Sequence, residues 1–200
     1  MSDTDQETSV LERAFAIMEV DPPASFDDDS PKANYAKNRY QLAIDLTLEG
    51  YDWSDARRVA GLAKLASLPA GETADPELTD AWALPDDLVR MRHVYDGKEF
   101  RWRKDGRVLL SEPRDTMMIR YTHREIRVKF MPASFREVAA HHLAVLLSPK
   151  YVKSKTKKQE VKSDLRDAIA AAQIFDQHTA SAERIDDREY VDWAEEAVCG

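Results

Sequence analysis

Two hundred residues, 43% of them hydrophobic and regularly spaced, can bury a core in one domain or in one domain with an insertion, and they exclude a chain that stays unfolded. A formal charge of −8 argues against a general nucleic-acid binder, and no run approaches the roughly 20 apolar residues that span a bilayer. The single Cys199 excludes an internal disulfide and a cysteine-built zinc site.

The start, MSDTDQETSV, is acidic where a secretory signal is basic and then apolar, so the chain is expected to be made and kept in the cytoplasm. A first helix is predicted over residues 6–20, where Val10, Leu11, Ala14, Ile17 and Met18 recur at helical spacing until Pro22-Pro23 stops it. The acidic stretch Asp27-Asp28-Asp29 reads as a solvated loop before a helix N-terminus, because it lacks the alternating ligands and central Gly of a calcium loop. Ser30 and Pro31 then form a helix start, with Ser30 capping the exposed N–H groups. Tyr35, Arg39, Leu42 and Leu46 continue this second helix to about Gly50. Residues 51–68 fit a broken helix and an extended segment equally, and residues 69–81, with Pro69, Gly71 and Pro76, read as a loop.

The period changes after Pro85. Residues 88–95, 100–103, 108–110, 117–121 and 126–130 read as four or five short strands, with turns at Asp96-Gly97 and Lys104-Asp105-Gly106. One face of the resulting antiparallel sheet or small barrel is expected to carry Arg101, Arg103, Arg127 and Lys129. Ser134 to Glu137 has the spacing of a capping box and opens a third helix, with Phe135, Val138, Ala139, His142, Leu143, Leu146 and Leu147 as its apolar stripe and Ser148-Pro149 as its end. A last helix over 154–180 would bury Val161, Leu165, Ala168, Ile169, Ala172 and Phe175.

The fold class is therefore α+β: a bundle of about four helices (1–85 and 131–180), an inserted antiparallel β part (86–130) and an extended C-terminal tail (181–200). Charge is segregated along it. Lys and Arg number 7 against 17 Asp and Glu in residues 1–85, 20 against 13 in 86–178, and 2 against 7 in 179–200. Such a chain can pair acidic surfaces with basic ones on a neighbouring copy.

No catalytic constellation emerges. Glu137 with His141 or His142 lacks the two histidines four apart of a zinc-protease helix, there is no glycine-rich phosphate cradle, and no Gly-x-Ser-x-Gly elbow exists. The chain is expected to be no enzyme and to need no metal or cofactor. Lys150, Lys153, Lys155, Lys157, Lys158 and Lys162 cluster at the link into the last helix, where they suit an acidic partner protein or phosphate. Tyr190, Val191, Trp193 and Val198 stand out in the charged tail as anchors for a partner's pocket.

The order of these features resembles the head-to-tail adaptors of short-tailed bacteriophages, the tail tubular protein A type. The matching frame runs over residues 10–180: Pro22-Pro23 and the acidic loop, a helix with Ala33, Asn34 and Arg39, then Trp53, Leu84-Pro85-Asp86, the strands, Met131-Pro132 with Phe135, and two helices carrying Val138-Ala139 and Ala168 to Asp176. The resemblance implies a virion neck protein, typically a twelve-fold ring, that binds the portal above and a nozzle protein below. It would offer a side surface to tail fibres while genomic DNA passes through its channel unbound. In such adaptors the C-terminal segment often reaches the portal, which would give Tyr190, Val191, Trp193 and Val198 that role. The alternatives are a tail-completion or stopper protein and, from another class, a DNA-binding regulator using the basic residues 86–162.

Overall fold

The computed structural model describes residues 3–25, 27–68 and 75–179. Four helices, α1 (Asp3–Ile17), α2 (Pro31–Gly50), α3 (Ala133–Tyr151) and α4 (Lys155–Thr179), form one part. Seven strands form the other: β1 (Arg57–Gly61), β2 (Ala63–Lys64), β3 (Asp80–Ala83), β4 (Leu88–Val94), β5 (Trp102–Asp105), β6 (Val108–Ser111) and β7 (Met118–His123). The class is α+β, with a helical bundle and antiparallel strands. The segment expected as a tail, 181–200, lies outside the described residues.

Helix α3 is the hub of the bundle, packed on α1, α2 and α4. Its sequence is apolar nearly all round, and Phe135, Val138, Ala139, Ala140, Leu143, Ala144 and Leu147 are all buried. Helix α1 ends at Ile17, before it reaches the prolines expected to stop it at Pro22-Pro23. Glu19 adopts φ +58°, and Val20 N–H and Glu19 N–H donate to the carbonyls of Phe15 and Ala16, the Schellman arrangement that closes a helix without proline. Helix α2 begins as its sequence predicts: Ser30 Oγ accepts from Ala33 N–H at 3.2 Å, with Pro31 in the first turn.

Two expectations about α3 need correction. Ser134 does not cap it: the helix begins one residue earlier, after Pro132, which offers no side-chain cap, and Glu137 turns to Arg13 and His141. Pro149 does not end it either, and the helix runs on to Tyr151. A proline costs a helix its bond to the carbonyl four residues back, here Val145, and Ser148 Oγ donates to that carbonyl at 3.0 Å instead.

The β part begins at Arg57, not at residue 86, so residues 51–68 resolve into a 3-10 turn at Ser54–Ala56 followed by β1 and β2. The strands form two antiparallel sheets, β1-β7-β4 and β2-β3-β6-β5. Trp82 and Leu109 from the second sheet meet Leu88, Val94, Ile119 and Tyr121 from the first in a shared core. The opposite face of the second sheet is covered by Leu65, Leu68 and Leu78, which explains why every residue of β6 is buried.

Asp96-Gly97 does form a turn, with Gly97 N–H bonded to the Val94 carbonyl. It joins β4 and β5 across the two sheets, however, and does not pair them as a hairpin. A Cβ at Gly97 would stand 2.9 Å from both the Val94 carbonyl oxygen and Trp102 Nε1, so only glycine fits there. The turn at Asp105-Gly106 does join a hairpin, β5-β6. Residues 126–130 are not a strand but lead through a 3-10 turn, Val128–Phe130. Arg127 and Lys129 therefore share no sheet face with Arg101 and Arg103, which pair along β5 with Glu77, Glu112, Asp75 and Asp105.

Candidate functional site

The corner between α3 and α4 collects the lysines that the sequence singles out. Val152 is buried and pins the corner to the bundle core, while Ser154 Oγ accepts from Lys157 N–H at 3.2 Å and caps α4. Lys150 lies over the Tyr35 ring at 3.9 Å, and Arg39 lies over the same ring at 3.4 Å, a cation on each of two contacts with one aromatic. Lys157 is satisfied, its ammonium 2.7 Å from Glu19 and 3.4 Å from Glu160, which raises its pKa. No carboxylate among the described residues lies within 4.0 Å of Lys153, Lys155, Lys158 or Lys162. Lys155, Lys157 and Lys158 occupy the first turn of α4, the positive end of the helix dipole, where carboxylates are the favoured residues. The corner thus concentrates positive charge against local helix preference.

At the other end of α4 the helix is anchored by Asp176, whose Oδ1 accepts from Ser54 N–H at 3.2 Å and Ser54 Oγ–H at 2.6 Å. Phe175, expected on the buried stripe, is instead 66% exposed beside Ile174. Phe175 and Asp176 border a cleft of about 490 Å³ with Pro132, Ala133, Ser134 and Glu137. Tyr190, Val191, Trp193 and Val198, the expected portal anchors, lie outside the described residues.

A second exposed apolar surface was not foreseen. On the outer face of the first sheet, Val59 stands opposite Arg120, and Met118 lies between Gly61 and Tyr95. Val59 and Met118 are 52% and 48% exposed. Val59 lies in the stretch whose period the sequence left undecided, whereas Met118 lies in a segment read as strand, whose exposed face the sequence did not assign.

Glu137 and His141 do come together, at 3.3 Å, but Glu137 is held mainly by a two-pronged bond from Arg13, with contacts of 2.7 to 3.0 Å. Arg13 lowers the Glu137 pKa, and burial lowers that of His141 against the opposing pull of Glu137. His141, not His142, is the more buried of the pair by exposure. The trio is a charged clasp between α1 and α3. Among the described residues no group of three or more His, Cys, Asp or Glu is placed to hold a metal ion, and no helix is long and apolar enough to cross a membrane.

Burial also lowers the pKa of His123 and of His142. For a histidine with a depressed folded pKa the unfolded chain takes up the proton first, so stability is complete above the unfolded value near 6.5 and falls as the pH drops through the folded values. Urea unfolding midpoints are expected to decline between pH 7 and pH 5, and His123→Gln with His141→Gln should flatten that decline. An unchanged slope in the double variant would remove these histidines as its source.

No family model matches the sequence, and no curated protein matches it either.

Proposed function

We propose that the chain is a head-to-tail adaptor subunit, which binds a portal ring above and a nozzle protein below and works by assembly. The observation that carries the reading is the alternation of a helical bundle with a β part in the order expected of such adaptors, with Trp53 at their joint and Phe135 at the base of the central helix. Exposed Ile174 and Phe175, just before the acidic and aromatic terminal segment, add an apolar surface of the kind that a partner fills.

In this reading the free subunit is mostly monomeric and becomes a ring on its template, where neighbours and portal cover the exposed faces. Electron microscopy of the chain mixed with purified portal rings should display a collar of this protein on the portal. Absence of any complex would sink the adaptor reading, and a stable dodecamer in light scattering of the isolated chain would overturn the order of assembly. Deleting residues 186–200 should weaken portal binding about a hundredfold or more, because two or three aromatic and aliphatic anchors are lost at once. Unchanged affinity would remove the tail from the interface. The rival reading, a DNA-binding regulator, requires affinity for duplex DNA that falls steeply with salt.

A further inference from the structure

We propose that the lysine corner at the start of α4 is the receptor for the acidic C-terminal segment of a second copy of this chain, giving a head-to-tail contact between neighbours. Three observations meet here. Lys153, Lys155, Lys158 and Lys162 carry charge that no described carboxylate answers. Residues 180–200 hold seven carboxylates against two arginines. The two features stand at opposite ends of one helix, α4, of 25 residues.

The separation favours contact between copies. At 1.5 Å per residue α4 is about 37 Å long, whereas the eight residues after Thr179 extend at most about 28 Å. Glu183 falls short of every lysine of its own corner, and the backbone of Asp186 and Asp187, even fully extended, reaches no further than Lys162, about 25 Å back along α4. A contact within one chain that spans the whole corner would use only the later carboxylates, from Glu189 on. In a second copy all seven carboxylates can approach.

An acidic protein segment also fits the corner better than nucleic acid does. The molecule is acidic as a whole, and Glu19 and Glu160 flank the lysines through Lys157, so a phosphate backbone extending past the corner meets carboxylates on both sides. A contact that joins one end of a subunit to the opposite end of the next is heterologous, and it yields a closed ring when the rotation between neighbours closes. The inference supplies the contact between ring neighbours in the adaptor reading, yet it needs no portal and is tested on the chain alone. Screening by salt keeps it weak for a single pair.

The test is zero-length coupling of lysine to carboxylate in a mixture of isotopically light and heavy full-length chains, at high protein concentration and low ionic strength. Mixed light–heavy products joining Lys153, Lys155 or Lys158 to the 183–196 region are expected. Their yield should fall about tenfold at high salt, and mixed products through Lys162 should fall likewise in the K153E/K155E/K158E variant, whose fold is checked by circular dichroism. Products confined to single chains, or none joining these two regions, would overturn the proposal. So would low-salt binding of duplex DNA by the wild type that the triple variant loses while the mixed products persist. A failed portal complex with these products present would reject the adaptor reading and leave the contact standing.

Discussion

Replacing Arg92 with Met is expected to destabilise the protein by about 3 kcal/mol and to separate the unfolding of the bundle from that of the β part. Arg92 projects from β4 with only 11% of its side chain exposed. Its Nη2 donates to the carbonyls of Leu48 at 2.7 Å, Glu49 at 3.2 Å and Tyr51 at 2.5 Å, and its Nε donates to Thr122 Oγ1 at 2.7 Å. Arg90 adds a bond to the Glu49 carbonyl at 3.0 Å. The last four carbonyls of a helix have no partner within it, and here a strand of the other part supplies them with a cation at the negative end of the dipole.

Methionine keeps most of the stem volume, so the loss reports on the bonds and not on a cavity. The cost comes from the part-buried carbonyls of Leu48 and Tyr51, which lose the guanidinium as donor, and from Asp52, which keeps Arg57 and Arg120 but loses its third cationic neighbour. Arg92→Lys should recover less than half, because one ammonium does not reproduce the fork that serves Thr122 and the α2 terminus together. Burial lowers the Arg92 pKa against the raising influence of Asp52, yet a guanidinium stays charged, so the junction should be insensitive to pH near neutrality. Urea unfolding followed separately by far-ultraviolet circular dichroism and by tryptophan fluorescence checks this. Coincident transitions with an unchanged midpoint in Arg92→Met would show that the junction does not couple the two parts.

Trp53→Ala is expected to cost about 3–5 kcal/mol, the range for removing a large aromatic from a packed core. Trp53 is 2% exposed and meets Phe135 and Tyr51 edge to face, with ring centres at 5.1 and 5.2 Å. Its Nε1–H donates to the Thr47 carbonyl at 2.7 Å, so it shares with Arg92 the task of closing α2. Trp53→Phe separates the two contributions. It retains much of the packing and orphans the Thr47 carbonyl, for an expected loss of about 1–3 kcal/mol. Equal losses for the two variants, measured by denaturant unfolding, would assign the whole effect to the hydrogen bond.

Of the candidate sites, the lysine corner was the most legible in the sequence, because six lysines between Lys150 and Lys162 cluster at a helix start whatever the tertiary fold does. What the sequence did not reveal is that Lys157 is occupied by Glu19, a partner 138 positions away. Phe175 was misassigned for a related reason. Its spacing continues the stripe of α4, but whether a stripe is covered at its end depends on where α3 begins.

The amino-acid sequence by itself determined the helices of the bundle, the Ser30 cap, the hairpin turn at Asp105-Gly106 and the α+β class. Each of these is written in residues a few positions apart, where backbone sterics and side-chain period act directly. Tertiary structure alone decided that β4 pairs with β7 and not with β5, that residues 57–64 are strand, and that Arg92 is a helix cap and not a solvated cation. Strand pairing and carbonyl capping are settled by groups distant in the chain, 44 residues apart for Arg92 and Leu48. A strand arginine reads the same in sequence whether its fork meets water or the end of a helix.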